Sequence, residues 1–128
     1  MPAEYRAYIT KIRDLKQDIR DSVSFVGWED QVKNDDTVFI KPNFTYPFYK
    51  EGITTNPIVL QSLLEVLKDR ASRVIVGESD GGNHSFTADQ AFIGHGMREI
   101  CRETGAELVN LSTLPSRDIE ETIQGKKV

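Results

Sequence analysis

The sequence predicts a three-layer α/β domain, with a mainly parallel sheet flanked by helices and a short C-terminal strand or hairpin half. Three observations carry this. Short apolar or β-branched runs at residues 37–40, 73–76 and 106–111 have strand length and composition. Amphipathic helical patterns at residues 57–67 and 97–104 separate them. Polar, glycine-bearing stretches follow the strands, as expected where a strand hands over to a crossover helix. At 128 residues, the chain is read as a single domain over 1–128.

Taken in order, residues 5–12 place Tyr8, Ile9 and Ile12 among polar neighbours and are read as a first strand. Asp14 with Gln17 has capping-box character and opens a helix whose apolar face is Leu15, Ile19, Val23 and Val26. Gly27 ends that helix, and Trp28 packs back onto it or forms a binding platform. Turn chemistry at residues 33–36 leads to the strand at 37–40. Asn56 then caps a helix with Pro57 at its first position, and Leu60, Leu63, Leu64 and Leu67 form the buried stripe. The strand from Arg73 follows almost at once. Thr87 and Gln90 form a second capping box, and the run breaks at Gly94-His95-Gly96. A firmer helix is expected over 97–104 with Gly105 as its stop, then a strand over 106–111. Residues 118–123 alternate like a strand, and Gln124-Gly125 reads as a hairpin turn. The whole order is β-α-β-α-β-α-β with a C-terminal extension.

Two strand ends carry the polar chemistry. After residues 73–76 come Glu78, Ser79, Asp80, Gly81, Gly82, Asn83 and His84. After residues 37–40 come Lys41, Pro42 and Asn43, where proline holds Lys41 extended. Ligands of open parallel sheets bind beyond the carboxyl ends of strands, so these stretches are read as two lips of one cleft. Lys41 and Asn43 suit an anionic group, and Ser79, Gly81 and Gly82 offer a hydroxyl and close backbone approach. Glu78, Asp80 and His84 are candidate ligands for a divalent metal. Asp80, His84 and His95 are the candidate catalytic groups, His95 sharing a helix face with Glu99. The loop after Asn43 carries Phe44, Tyr46, Phe48 and Tyr49; it either packs on the body or walls the ligand, with Tyr46 closing over it. The structural alternative is that Asp80 to Asn83 is a turn capping its own backbone and Lys41 a solvated strand end.

Composition narrows the function. With 16 basic and 20 acidic residues interspersed, the net charge is −4, which argues against nucleic acid as a partner. The N-terminus lacks an apolar leader core and no apolar run reaches membrane length, so a soluble protein without a membrane partner is expected. Cys101 is the one cysteine, which fits a reducing, cytoplasmic setting and excludes an iron–sulfur cluster ligated within this chain. Residues 76–82 hold paired glycines after a strand, but not at the spacing of a dinucleotide fingerprint.

The motifs at residues 38–43, 54–57 and 76–82 together resemble the domain of unknown function 362 family, some of whose members carry ferredoxin-like iron–sulfur segments. The resemblance implies an α/β fold and a site near Lys41 and Asp80, and no particular reaction. It covers the N-terminal portion of the usual family domain, so the chain is expected to be short relative to that family. A sheet left incomplete exposes an edge that invites pairing with a second copy, so the expected assembly is either a homodimer or a monomer with a frayed tail. Two functions follow as expectations: a small-molecule or anion site, metal-assisted, at the strand ends, or a non-catalytic assembly module pairing through its open edge.

Overall fold

The structure is a computed structural model that describes residues 5–81, 85–120, 122–123 and 126–127. Three strands form one parallel sheet in the order β1-β2-β3: β1 (Thr37–Ile40), β2 (Arg73–Glu78) and β3 (Glu107–Asn110). Helices α1 (Leu15–Phe25) and α2 (Trp28–Gln31) precede it, α3 (Pro57–Leu67) links β1 to β2, and α4 (Ala88–Gly94) with α5 (Met97–Thr104) links β2 to β3. A two-residue antiparallel pairing of β4 (Thr122–Ile123) with β5 (Lys126–Lys127) gives the C-terminal hairpin. The fold is the expected α/β class, a parallel sheet flanked by helices.

Local chemistry accounts for most boundaries. The Asp14 carboxylate accepts the Gln17 N–H and starts α1, while the Asn56 side chain accepts the Ile58 N–H ahead of Pro57. Such caps are worth about 1 kcal/mol each. Thr87 and Gln90 bond reciprocally as a complete capping box at α4. Gly27, Gly96 and Gly105 adopt positive φ where the chain leaves one helix and enters the next element.

Residues paired across a parallel sheet share a face. Val38 beside Val74, Ile40 beside Val76, and Leu108 on the other side of Val76 point into the helix layer and belong to the core with Leu60, Leu64, Phe92, Met97 and Trp28. Trp28 is thus a core residue. Phe39, Ile75 and Val109 alternate with these and occupy the other face, where Phe39 stays 48% exposed. Its ring lies across Gly77, whose place a Cβ would fill at 2.5 Å from a ring carbon. No helix among the described residues is long and apolar enough to cross a membrane.

Four expectations need correction. Residues 5–12 form no strand, so the order begins with a helix. Strand propensity needs a partner edge. Here the segment lies against α1 instead, with Tyr8 5.5 Å from Phe25 and the Arg6 guanidinium over the same ring. Val26 is the C-cap of α1 and exposed rather than part of its apolar stripe. The last core strand stops at Asn110, because its side chain accepts the Ser112 N–H and turns Leu111–Thr113 into a 3-10 turn. His95 and Glu99 share no helix, since the left-handed Gly96 separates α4 from α5 and Glu99 pairs with Arg102.

Candidate functional site

The carboxyl ends of β1 and β2 are neighbours, and Lys41, one residue past β1, meets Glu78, the last residue of β2. Lys41 Nζ donates to Glu78 Oε2 at 2.9 Å and to the Pro42 carbonyl at 3.3 Å. The Ser79 N–H donates to Glu78 Oε1 at 2.9 Å. Glu78 is 7% exposed, whereas the Lys41 side chain is 58% exposed. A carboxylate taken out of water needs such partners, so this pair is built into the floor of the site.

Around it lies a cleft of about 260 Å³ lined by Lys41, Asn43, Phe44, Thr45, Glu78, Ser79, Asp80, Gly81 and Phe86. Six sequence-derived candidates therefore converge: Lys41, Asn43, Glu78, Ser79, Asp80 and Gly81. Gly82 and His84 lie outside the described residues. The charge on the lining is one cation against two carboxylates.

Each candidate also has a local duty. The Asn43 N–H donates to Thr55 Oγ1 at 2.8 Å and its side-chain amide to the Ile53 carbonyl at 2.9 Å, closing the loop between β1 and α3. Asp80 Oδ1 accepts the Ala88 N–H at 2.8 Å at the start of α4, and the Asp80 N–H donates to Ser112 Oγ at 2.9 Å. The Gly81 N–H donates to the Phe86 carbonyl at 2.8 Å. A Cβ on Gly81 would sit 2.6 Å from Ser85 Oγ and 3.1 Å from the Phe86 carbonyl, so a side chain there would require Ser85 to turn away. Asp80 and Gly81 thus line the cleft while tying β2 to α4.

Tyr46 and His95 fall behind the cleft wall. The Tyr46 ring receives the Lys50 ammonium at 4.3 Å from its centroid, and its carbonyl accepts from His95 Nε2 at 2.9 Å. A carbonyl only accepts, so Nε2 is the donor in this contact. His95 is 3% exposed and stacks on Phe44 with centroids 4.0 Å apart. Gly94 lets the same loop approach, because a Cβ there would stand 1.8 Å from the Pro47 carbonyl oxygen. Of the loop's four aromatics only Phe44 is buried and lines the cleft; Phe48 and Tyr49 are exposed, and Tyr46 lies off the cleft rather than over it.

One residue of the network has no counterpart among the sequence-derived candidates. Asn110, at the carboxyl end of β3, donates through Nδ2 to Asp89 Oδ2 at 2.9 Å and to Asp80 Oδ1 at 3.4 Å. Its signal was available: a lone amide closing an apolar strand, as Asn43 follows β1. Among the described residues no group of three or more histidine, cysteine, aspartate or glutamate side chains is arranged to hold a metal ion.

The family profile described as "Domain of unknown function (DUF362)" matches residues 38–128. The chain belongs to this family. The matched span of this DUF362 domain begins inside β1 and contains both lips of the cleft. Searches of curated proteins and of solved structures give no match.

Proposed function

We propose that this DUF362 domain binds a small anionic metabolite together with a divalent cation in the cleft at the ends of β1 and β2. The observation that carries the reading is the buried Glu78 carboxylate paired with Lys41 across two strand ends. An anion entering alone would face one ammonium and two carboxylates, an unfavourable balance. A divalent cation reverses it. Magnesium is commonly held by one or two carboxylates, with the ligand's phosphate or carboxylate and water completing its shell, which suits Glu78 and Asp80. Lys41 then binds the anionic group as a point charge, and Phe44 supplies an apolar wall.

A thermal-shift screen of phosphorylated and carboxylate metabolites, with and without magnesium or manganese, tests this. A ligand whose stabilisation requires the metal supports the reading; equal melting temperatures across the whole panel contradict it.

A second reading, assembly of copies through the sheet, is favoured by the half-exposed Phe39 beside Ile75 on the face opposite the core. All-parallel sheets are ordinarily covered on both faces. Light scattering distinguishes it: a dimer lost on Phe39→Asp favours assembly, and a monomer at high concentration contradicts it.

A further inference from the structure

A second groove lies on the far side of Asn110. It measures about 520 Å³ and is lined by Asp89, Phe92, Arg98, Cys101, Arg102, Ala106, Leu108 and Asn110. None of its residues lines the cleft at Lys41, although Asn110 reaches Asp80 there. We propose that this groove is a separate binding site for a small amphipathic carboxylate, its headgroup held by Arg98 and Arg102 and its apolar tail laid on Leu108 and Ala106.

Donor geometry selects the headgroup. The lining carries two guanidinium groups and the Asp89 carboxylate, with Glu99 beside Arg102 balancing the second cation, so an anionic headgroup is recognised through the donors the guanidiniums still offer. Arg98 and Arg102 are four residues apart on α5, so they rise from one helix face. Both side chains are about two-thirds or more exposed, and among the described residues each has one carboxylate partner: Asp89 at 3.5 Å from Arg98, and Glu99 beside Arg102. A guanidinium carries five donors in a planar fork, so each arginine retains the capacity to grip a further carboxylate.

The floor selects the tail. Phe92 and Cys101 are buried beneath the groove, and Ala106 and Leu108 are half-buried along it. Burial pushes the Cys101 thiol up to about 11, so at neutral pH it is an uncharged, apolar part of the floor. The volume falls within the roughly 300–1,000 Å³ typical of small-molecule sites.

Isothermal titration of the full chain with octanoate, with 1-octanol and octylammonium as controls, tests the proposal. Octanoate is expected to bind saturably and the two controls at least tenfold more weakly. Arg98→Gln and Arg102→Gln are each expected to weaken octanoate about tenfold, the scale of one charge-assisted hydrogen bond. Both positions are well exposed, so both variants should fold. Lys41→Ala is expected to leave octanoate affinity unchanged, which separates this site from the cleft. Saturating octanoate is also expected to slow alkylation of Cys101. Equal affinity for octanoate and octanol, full affinity in both arginine variants, or no heat at all would overturn the proposal. So would a dimer that Arg98→Glu abolishes in a protein that does not bind octanoate, since it would assign the groove to a second copy.

Discussion

The two hollows on either side of Asn110 are built from similar residues to opposite effect. At the ends of β1 and β2 the carboxylate is buried and the cation reaches toward solvent. Beside α5 the cations and their carboxylates are all exposed, and what lies buried is apolar. A buried charge demands fixed partners, so the first hollow holds its charges in a set arrangement. Exposed arginines over an apolar floor are held by few contacts, so the second hollow has an adaptable polar rim. The Asn110 amide touches Asp80 of one and Asp89 of the other, and so keeps two carboxylates of separate sites in register.

The comparison can be broken most severely at Gly94, where loop and helix meet backbone to backbone. Gly94→Ala drives a methyl into the Pro47 carbonyl, and is expected to cost about 3 kcal/mol or more in urea unfolding and to displace Phe44 from the cleft. Lys41→Ala comes next. It leaves Glu78 with the Ser79 N–H but no cation, and a loss of about 1–3 kcal/mol is expected, reduced from the fully buried case because Lys41 is largely exposed. Glu78→Gln in the same background should recover part of that loss, because no buried charge then remains.

Asn110→Ala sharpens the contrast from the middle. Losing the bonds to Asp80, Asp89 and the Ser112 N–H is expected to cost about 1–2 kcal/mol. It should also perturb amide resonances on both sides, at Ser79 to Gly81 and at Asp89 to Phe92. Chemical shifts that move on one side alone would show that Asn110 does not join the two.

The smallest effect is expected at the foot of the sheet, where Arg73 grips Glu107 through two bonds of 2.5 Å. The side-chain hydrogen bond from Arg73 holds the Glu107 carboxyl below the usual carboxylate range. A depressed folded-state pKa contributes stability above the unfolded value and loses it as pH falls through the folded value. Arg73→Ala should therefore matter only above that acid window, weakly, and less in high salt, because both groups are exposed. An equal effect of Arg73→Ala at pH 2 and pH 7 would contradict this assignment.

Signals that act within a few residues were legible. Asn56-Pro57, Thr87 with Gln90, Gly27 and Gly105 each fix a boundary through a cap or a left-handed turn, and each lies where the sequence places it. Residues 5–12 carry strand composition, but a strand exists only with a neighbour, and that neighbour is not written locally. Proximity of Lys41 to the 78–81 turn was legible because parallel strand ends gather on one side of a sheet. Their partnership was not. That Glu78 would be buried against Lys41, 37 residues away, depends on strand order and register, as does the reach of Asn110 to two aspartates. His95 is a further case, since its stacking on Phe44 and its bond to the Tyr46 carbonyl depend on a loop 49 residues away in sequence.

The central claim, a metal-assisted anion site on the Lys41–Glu78 pair, is tested most directly by isothermal titration of the strongest thermal-shift ligand into the protein with saturating magnesium and then with chelator. The account expects saturable binding with magnesium that weakens at least tenfold on chelation, and at least tenfold in Lys41→Ala and Asp80→Ala. Affinity unchanged by chelation and by both substitutions would contradict it.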